Sequence, residues 1–596
     1  MDTIISLIKQ RVESHPKKVA LRYYKDGKFK GVSWKELWEI MTLIGCAFLD
    51  LGLRIGDRVA IISENRPEWA YTDLAILLCG GVTVPIYPTS STKEIEHILN
   101  DSGAETVFVS TKEILDKVAS IAGNTPLKRI VTFQEAPSDD PLVMLFEKFM
   151  HLGRKSLSPY KAPLEERGKS VTGDNLVTII YTSGSTGTPK GVMLTNDNFV
   201  SSCRASASVI DVGPKDRYLS FLPLSHVFER MAGYYMMLIC GTEIAYAQSK
   251  DTIFRDIKII RPTLICGVPR FFEKLYAEIL KKAIAGSSLK KSLFFWGQKI
   301  GRACLQRRLK QKRVPLYLAV LRALVTRPIA RKLKASLGGR FKFFISGGAP
   351  LSAEIAYFFL SFDILILEGY GLTESTTVIS VNSAKDYKIG TVGKPLSGVD
   401  VKIASDGEVL AKGPNIMKGY HGLTKETETS LEDGWLYTGD IGHFDKDGFL
   451  VITDRKKDII VTSGGKNIAP SEVETAIKSD RYIDDVLVYG DRRKFLSALI
   501  IPNIESLEGY ARFKDIEYSD IGELVKDPKI QNFMERRIDA RQAELPKYAR
   551  IKKFVILSEE LKQSRGELTP TLKIKRKIVT QKYKEQLDSL YEEDII

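Results

Sequence analysis

The stretch YTSGSTGTPKG, Tyr181 to Gly191, combines glycines and small hydroxyl-bearing residues with one cation, Lys190. Glycine-rich backbone N–H groups, hydroxyl groups and an ammonium group are the donors that phosphate oxygens accept. The pattern therefore indicates a phosphate-binding loop. Its candidate contacts are Thr182, Ser183, Gly184, Ser185, Thr186, Gly187, Thr188 and Lys190.

The residues around this loop argue against a Walker-type hydrolase. In that motif a Gly-Lys pair leads directly into a helix whose N-terminus holds the phosphates. Here Pro189 precedes the lysine and GVMLT follows it as a strand pattern, so the next helix can begin only near Asn196. We therefore expect a loop between two strands that closes over a polyphosphate. A plain flexible surface loop stays the alternative on these residues alone.

The elements that must position this loop alternate along the chain. Short β-branched runs such as RVAIIS (58–63) and KFFIS (342–346) are separated by helical patterns, which predicts α/β layers. Ser-x-x-Glu capping boxes predict helix starts at Ser33/Glu36, Ser91/Glu94 and Ser471/Glu474. From about 390 to 461, strand-like pieces between Gly and Asp turns predict antiparallel hairpins and a small barrel.

Composition fits a folded chain of several domains. The 596 residues are 44% hydrophobic and 27% charged, and they exceed what one core usually serves. No apolar run reaches the roughly 18 residues of a spanning helix, and the N-terminus predicts an amphipathic helix, not a signal peptide. Six scattered cysteines without a C-x-x-C pair are typical of buried, reduced thiols. We therefore expect a cytoplasmic protein.

The positive charge lies in one segment. Residues 281–340 contain 17 Lys and Arg and no Asp or Glu, whereas the whole chain carries a net charge of +15. Three interpretations stay open: a solvated helical insertion, a patch that binds an anionic membrane surface peripherally at its cytoplasmic face, and contact with a partner protein or in a homodimer. No recognition motif for nucleic acid accompanies the charge, so we expect no nucleic-acid partner.

Six further motifs follow the loop in order: LPLSHVFER (222–230), SGGAPLS (346–352), EGYGLTES (368–375), GWLYTGD (434–440), DRKKDIIVTSGGKNIAPSEVE (454–474) and GELTPTLKIKRK (566–577). With YTSGSTGTPKG, they resemble the motifs of the adenylate-forming superfamily, which includes acyl-CoA synthetases, luciferases and peptide-synthetase adenylation domains. LPLSHVFER and LTPTLKIKR are similar to the long-chain fatty acyl-CoA synthetase forms. The resemblance covers nearly the whole chain. Seven motifs in the order in which this superfamily has them are a very specific signal for it.

The resemblance implies an α/β fold. Residues 1–453 would form a large N-terminal domain of two α/β subdomains plus a small antiparallel β-barrel, and residues 454–596 a small mobile α+β C-terminal domain. Fatty acid, ATP and CoA would be substrates and Mg²⁺ the cofactor; acyl-AMP and diphosphate would form first, and the CoA thiol would then expel AMP. Three alternatives stay open: a fatty acyl-AMP ligase that loads a carrier protein, a medium-chain or aryl CoA ligase, and a non-catalytic nucleotide-regulated adaptor.

The resemblance also implies nucleotide contacts. Asp440 would accept hydrogen bonds from both ribose hydroxyls, assisted by Arg455, and Tyr370 would stack on the adenine base. Glu374 and Thr182 would hold Mg²⁺, which proteins usually bind through one or two carboxylates plus phosphate oxygens. The other nucleotide contacts would be Gly347, Gly348, Ala349, Pro350, Glu368, Gly369, Gly371, Thr373 and Lys573.

For catalysis, Lys573 is the expected cation that bridges the attacking carboxylate and the phosphate. Lys575, Arg576 and Lys577 are close neighbours of Lys573, so the motif alone leaves open which of the four cations reaches the reacting groups. His226 would position the acyl carboxylate without acting as a base, because a fatty acid is already ionised at neutral pH. Thr182 and Lys190 complete the catalytic set. The acyl pocket would contain His226, Val227, Val268, Phe271 and Gly347.

Asp454 resembles the hinge about which the small domain of this family rotates between the two half-reactions. Rotation would bring SGGKN forward, so that Gly464, Gly465 and Lys466 line the channel for the pantetheine arm of CoA. Two adjacent glycines leave room for a narrow arm, although a plain glycine turn is the alternative. The sequence leaves open the preferred length of the fatty acyl chain, the acyl acceptor and the oligomeric state.

Overall fold

The structure is a computed structural model that describes residues 2–134, 140–183, 188–249, 251–463, 466–569 and 573–591. Its helices are α1 (Ile4–Ser14), α2 (Trp34–Asp50), α3 (Pro67–Leu78), α4 (Thr92–Ser102), α5 (Lys112–Ala119), α6 (Phe146–Lys155), α7 (Leu157–Ser170), α8 (Asn196–Val209), α9 (Met236–Cys240), α10 (Ile253–Ile260), α11 (Pro269–Ile284), α12 (Ser288–Leu309), α13 (Leu316–Leu321), α14 (Arg327–Ser336), α15 (Ala353–Ser361), α16 (Thr424–Ser430), α17 (Pro470–Lys478), α18 (Ile504–Phe513), α19 (Ile521–Leu524), α20 (Pro528–Arg541), α21 (Arg576–Lys582) and α22 (Lys584–Ser589).

The strands are β1 (Val19–Lys25), β2 (Lys28–Ser33), β3 (Arg58–Ile62), β4 (Val82–Ile86), β5 (Thr106–Val109), β6 (Arg129–Thr132), β7 (Val143–Leu145), β8 (Leu176–Ser183), β9 (Pro189–Thr195), β10 (Arg217–Ser220), β11 (Glu243–Tyr246), β12 (Leu264–Gly267), β13 (Phe343–Ser346), β14 (Leu365–Tyr370), β15 (Ser380–Val381), β16 (Lys394–Pro395), β17 (Asp400–Ile403), β18 (Glu408–Lys412), β19 (Gly419–Tyr420), β20 (Leu431–Glu432), β21 (Trp435–Phe444), β22 (Leu450–Arg455), β23 (Ile460–Val461), β24 (Asn467–Ile468), β25 (Ile483–Tyr489), β26 (Leu496–Pro502) and β27 (Ile551–Ile556).

Two mostly parallel sheets form the body of the first 400 residues. Sheet I has the strand order β19-β9-β8-β4-β3-β5-β6-β7, and sheet II has the order β16-β15-β14-β13-β12-β10-β11-β1-β2. Residues of both sheets, among them Ile61 and Tyr218, share one buried core with α2 and α3. Helices α4 and α5 cover the other face of sheet I, and α10, α11 and α15 cover that of sheet II. The predicted α/β layers are therefore confirmed, because parallel pairing needs such crossover helices.

Antiparallel hairpins follow, as the Gly and Asp turns predict. Strands β17, β18, β21 and β20 pair in that order, and β22 pairs with β21. From β23 onward the chain builds a separate layer in which α17, α18 and α20 pack on β25, β26 and β27. The two apolar clusters of this layer contain no residue before Ile460, so it buries its own core.

Two of the three predicted capping boxes are confirmed. Ser33 accepts the Glu36 N–H and Ser91 accepts the Glu94 N–H, and each glutamate accepts the N–H of its serine in return. The predicted amphipathic N-terminal segment is α1, whose Ile4 and neighbours are buried. The six cysteines are free thiols, as predicted.

The third capping box is wrong. Helix α17 begins at Pro470, so Ser471 lies inside its first turn. The Ser471 N–H donates to the Asp454 carboxylate at 3.1 Å, and Glu474 accepts the Arg576 guanidinium at 2.6 Å. The Ser471 hydroxyl also donates to the Thr453 carbonyl at 2.9 Å. Both side chains of the predicted box thus have partners that are distant in sequence, because tertiary contacts satisfy this helix end in place of a local cap.

The phosphate-loop motif joins two antiparallel strands, as predicted. In the β8–β9 hairpin, Thr182 lies opposite Lys190 and Ser183 lies opposite Pro189, and α8 begins only at Asn196. No helix N-terminus therefore follows the lysine directly. Gly184, Ser185, Thr186 and Gly187 lie outside the described residues.

The acid-free segment 281–340 is largely helical and contains α12, α13 and α14. None of the helices in the described ranges combines the length and the apolar character needed to cross a lipid bilayer.

A buried ion pair connects sheet I to the LPLSHVFER segment. The side chains of Arg230 and Asp73 form a salt bridge, and both have 0% solvent exposure. The Arg230 Nη1 also donates to the Thr178 hydroxyl of β8 at 2.8 Å. The Tyr235 and Thr83 hydroxyls each donate to Asp73 at 2.8 Å. Because each charged group has several hydrogen-bond partners, the pair is tolerated without water.

Replacing Arg230 by Met leaves the Asp73 carboxylate buried without its counter-ion. We expect the unfolding temperature to fall strongly, because an uncompensated buried charge costs about 3–5 kcal/mol. The double variant Arg230→Met/Asp73→Leu should recover most of this loss, and Arg492→Met, at an exposed arginine, should change little. Thermal unfolding followed by circular dichroism measures all three. Equal destabilisation in the single and double variants would contradict the proposed role of the pair.

Candidate active site

Adjacent parallel strands of sheet II end at one edge, and a predicted site residue follows or ends each of them. His226 follows β10, Val268 follows β12, Gly347 follows β13, and Tyr370 is the last residue of β14. Ligands of open α/β sheets bind outside the carboxyl ends of the strands. The topology therefore brings together side chains that are up to 144 positions apart in the sequence.

Asp440 is held from two sides. It faces Arg455 across β21 and β22, with 3.2 Å between its carboxylate and the guanidinium Nε, and the Tyr370 hydroxyl donates to it at 2.8 Å. Burial raises the pKa of Asp440, against the lowering effects of Arg455, Tyr370 and Lys573. A carboxylate oxygen carries two lone pairs, so the pinned group can still accept hydrogen bonds from a diol.

Lys573 enters the same cleft from the C-terminal segment. Its N–H donates to the Thr569 hydroxyl at 3.0 Å and its carbonyl accepts the Thr569 N–H at 2.8 Å, which fixes a tight turn. Desolvation, together with the Arg455 cation, lowers the pKa of Lys573 to about 8, and Asp440 opposes this effect. The residue nevertheless has appreciable solvent exposure, so the cleft around it is partly open.

The neighbouring cations have other positions. Arg576 donates to Glu474 at 2.6 Å and to the Val488 carbonyl at 2.8 Å, and Lys577 is exposed. Among the four basic residues of this motif, Lys573 is therefore the one whose charge acts on Asp440 and on His226.

The protonation state of His226 follows from its backbone contact. The Phe228 N–H donates to Nδ1 of His226 at 3.1 Å. Because Nδ1 is an acceptor, the proton of the neutral ring is assigned to Nε2. Burial and the positive charge of Lys573 lower the pKa of His226 to about 4. At neutral pH the ring is therefore an uncharged Nε2–H donor, suited to a carboxylate oxygen.

Lys190 and Glu374 are connected by a residue that sequence reasoning missed. The Lys190 Nζ lies 5.4 Å from the centre of the Tyr420 ring, and the Tyr420 hydroxyl donates to Glu374 Oε1 at 2.8 Å. Burial raises the pKa of Tyr420, which keeps its hydroxyl a donor. The two-residue strand β19 brings Tyr420 beside β9. No local pattern marks a tyrosine that lies 230 residues from its lysine.

The predicted adenine slot consists of two loops. A Cβ at Gly347 would lie 3.2 Å from the Phe228 ring, and one at Gly371 would overlap the Thr377 carbonyl. Glycine is thus required at Gly371, whereas a side chain at Gly347 would have to displace the Phe228 ring slightly. Burial raises the pKa of Glu368 to about 7. The remaining predicted nucleotide contacts lie on or beside the same loops: Gly348, Ala349, Pro350, Gly369 and Thr373.

The side chains at the site suit Mg²⁺ better than a metal ion that is held by three or more protein ligands. Across the described ranges, no group of three or more His, Cys, Asp and Glu side chains is placed to hold a metal ion. Mg²⁺ needs no such cage, since phosphate oxygens and water supply most of its ligands. Glu374, oriented by Tyr420, and the Thr182 hydroxyl are the side chains that would contribute.

The predicted hinge residue is part of a helix end. Asp454 is buried, and its carboxylate accepts the Arg455 N–H at 2.6 Å and the Ser471 N–H at 3.1 Å. It therefore caps α17 from outside the helix. Lys466, of the predicted CoA channel, is exposed with its Nζ 6.0 Å from the centre of the Tyr548 ring. Gly464 and Gly465 lie outside the described residues.

The predicted acyl-pocket residues divide into two groups. Val227 is buried in the core between the sheets, and Val268 lines the cleft with Lys573. Phe271 instead packs against Phe221 and Phe272, with ring centres 5.0 and 5.2 Å apart, in the core on the other face of sheet II. Phe271 thus supports β12 from behind and does not line the cleft described here.

A pocket of about 240 Å³ is lined by Val268 and Gly348 from the N-terminal part of the chain and by Lys573 from the C-terminal segment, whereas His226 and Asp440 do not line it. Sequence reasoning missed several of its charged residues, among them Arg270, Glu273 and Lys478. Lys478 binds Asp485 at 3.0 Å, and burial raises the pKa of Glu273. These charges lie on α11 and α17 at ordinary helical spacing, so only the contact between the two segments distinguishes them from surface charges.

Comparison with known proteins identifies the family of the chain. The family models for the AMP-binding enzyme and the AMP-binding enzyme C-terminal domain match residues 8–421 and 457–594. The chain is 33% identical to the long-chain-fatty-acid–CoA ligase FadD15 of Mycobacterium bovis, over 100% of this chain and 98% of that protein.

Two solved structures share the fold. The anthranilate CoA ligase AuaEII in complex with anthranoyl-AMP has a TM-score of 0.74 at 18% identity, with 98% of each chain covered. The o-succinylbenzoate CoA synthetase (MenE) from Bacillus subtilis, in complex with ATP and magnesium ion, has a TM-score of 0.66 at 23% identity, with 96% of this chain and 98% of that chain covered. The chain thus belongs to the AMP-binding enzyme family, in its long-chain fatty acyl-CoA synthetase branch.

Proposed function

We propose that this chain is an AMP-forming long-chain fatty acid–CoA ligase, which converts a fatty acid, ATP and CoA into acyl-CoA, AMP and diphosphate. The contacts that hold Asp440 between Tyr370 and Arg455, with the charge of Lys573 acting on both Asp440 and His226, carry the proposal. The full-length similarity to a long-chain-fatty-acid–CoA ligase supports it.

In the first half-reaction, a carboxylate oxygen attacks the α-phosphorus of ATP, and diphosphate leaves as acyl-AMP forms. Both reactants are anionic, so the chain must offset their repulsion. Lys573 supplies a positive charge between them, and His226 donates its Nε2–H to the carboxylate and holds it in line. Asp440 accepts hydrogen bonds from the ribose, and Lys190 faces the departing phosphates.

Glu374 and the Thr182 hydroxyl would hold Mg²⁺, and the bound ion would offset part of the phosphate charge and favour the departure of diphosphate. Tyr420 holds one Glu374 oxygen and also contacts Lys190. Tyr420 thereby contacts both the candidate metal ligand, Glu374, and the candidate phosphate-binding cation, Lys190.

In the second half-reaction, the CoA thiol attacks the acyl carbon and AMP leaves. We propose that residues 454–596 act as one domain that rotates against residues 1–453 at Asp454. The independent core of residues 460–587 supports such movement. Rotation would withdraw Lys573 and bring the segment 463–467 to the acyl-adenylate. The Asp454–Ser471 contact, which caps α17, is a contact that this movement would alter.

Diphosphate release measured over fatty acids of graded length, with and without CoA, tests the proposal. Carboxylate-dependent release together with acyl-CoA formation from free CoA is expected. Release without any acyl-CoA would favour a ligase that loads a carrier protein. A preference for short or aromatic acids would favour a medium-chain or aryl CoA ligase, and absence of release would favour a non-catalytic role.

Replacing Lys573 by Ala should slow acyl-adenylate formation about 10²- to 10³-fold, because one preorganised charge no longer stabilises the transition state. Thioester formation from supplied acyl-AMP should stay largely intact, since Lys573 is withdrawn in that step. Rapid-quench assays of each half-reaction provide the measurement, with Lys577→Ala as the matched control. Equal loss in both half-reactions would refute the assigned role.

The pKa of Lys573 also predicts a pH profile. The side chain carries its charge below its pKa of about 8, so kcat/KM for acyl-adenylate formation should decline above that pH. In Lys573→Arg the decline should move to higher pH, because a guanidinium stays charged up to about pH 12. Assays without CoA keep its thiol out of the profile. The same decline in both proteins would show that another group is responsible.

Replacing Tyr420 by Phe removes the hydrogen bond to Glu374 but keeps a ring beside Lys190. The Mg²⁺ concentration for half-maximal adenylation should rise about two- to tenfold, the value of one hydrogen bond. A magnesium titration of diphosphate release measures it. Tyr437→Phe, which removes a comparable tyrosine–glutamate bond at the surface, is the control. An unchanged magnesium requirement would argue against orientation of Glu374 by Tyr420.

A further inference from the structure

The basic segment 281–340 also exposes an unusual amount of apolar surface. Of the twenty large hydrophobic side chains that are exposed in the described part of the chain, ten lie in this tenth of the sequence. Exposed apolar groups are common when scattered singly, but a concentration of them marks an interaction site.

Helix α13 is apolar on two opposite faces. Its inner face, with Leu318 and Leu321, packs against Ile300 and Cys304 of α12. Its outer side continues through the π-helical turn Arg322–Thr326 and carries four apolar side chains at helical spacing. These are Leu316, Tyr317, Val320 and Leu324, which are 81%, 63%, 48% and 70% exposed. We name these four residues the outer strip.

Cations adjoin the outer strip at the connection between α12 and α13. Lys310, Lys312 and Arg313 are all exposed there, next to the exposed Leu309. Arg327 and Arg331 follow on α14 and are exposed as well. No carboxylate belongs to this segment, so nothing within it neutralises these charges.

We propose that the outer strip and the cations beside it form a docking surface for an anionic lipid bilayer. The apolar side chains would enter the boundary between headgroups and acyl chains, and the cations would contact lipid phosphates. Charge complementarity favours this occupant: a surface with many cations and no acids attracts an anionic partner, and its apolar strip requires a partner with an apolar layer. The surface lies outside the catalytic cleft, so this inference goes beyond the ligase reaction.

The combination of the apolar outer strip with the cations beside it favours a bilayer over other anionic partners. RNA or DNA would use the cations but offers no acyl layer to the outer strip. A second copy of this chain would bring 17 like charges against 17, which disfavours a symmetric contact through the same segment.

The test is sedimentation of the full-length protein with phosphatidylcholine vesicles that contain or lack phosphatidylglycerol. Binding to the anionic vesicles that weakens with salt is expected, with little binding to the neutral ones. Leu316→Ser/Val320→Ser/Leu324→Ser should weaken binding about tenfold or more through lost apolar burial. Lys310→Gln/Lys312→Gln/Arg313→Gln should weaken it about a hundredfold at low salt.

Matched controls lie on other surfaces. Phe513→Ser removes an apolar side chain that is 76% exposed, and Lys25→Gln/Lys28→Gln removes two exposed cations of the β1–β2 turn. Both should bind vesicles as the parent does. All variants should keep adenylation of a water-soluble acid, which separates failure of this inference from failure of the proposed function.

Three results would overturn the inference. The first is absence of salt-sensitive binding to the anionic vesicles. The second is unchanged binding by the outer-strip variant, which would reduce the attraction to charge alone. The third concerns RNA as a competitor. If RNA displaces the vesicles from the parent protein, and the outer-strip variant binds RNA and vesicles as strongly as the parent does, the surface is a general polyanion site.

Discussion

The contact between Arg230 and Asp73 is the constraint on which the site most depends. It joins α3 to the LPLSHVFER segment, and through Thr178 it reaches β8, the strand that leads into the phosphate-loop hairpin. His226 lies one helical turn before Arg230, whose N–H donates to the His226 carbonyl. One desolvated ion pair thus relates the segment that contains His226 to the strand that leads into the phosphate-loop motif. It tolerates little movement because any displacement leaves a buried charge unpaired.

In the described residues, a side-chain cation, and not a metal ion held by several protein ligands, sets the charges of the site. The Lys573 cation affects both Asp440 and His226, but in opposite ways: it favours the ionised carboxylate and keeps the imidazole neutral. The result is a carboxylate acceptor beside an imidazole N–H donor, which fits the proposed binding of the ribose and the fatty acid. Because Lys573 lies in the C-terminal segment, this arrangement depends on the packing of that segment against the N-terminal residues, which the proposed rotation would change.

Long-range contacts decide features that local patterns leave open or predict wrongly. The capping box at Ser471 matched the sequence rule, but Asp454 supplies the acceptor from outside the helix. Phe271 follows the sheet edge directly, yet its ring packs into the core behind β12. Local patterns describe which groups need partners. They do not say whether a partner comes from the next turn or from another element.

The sequence by itself determined the α/β class, the strand–loop–strand character of YTSGSTGTPKG and the reaction family, because periodicity, turn residues and motif register are local properties. Only the tertiary structure decided which of four neighbouring cations reaches the cleft, that Tyr420 links Lys190 to Glu374, and that the outer strip is exposed. These are facts about which distant segments meet. Burial, desolvation and hydrogen-bond partnership arise only when the segments pack together.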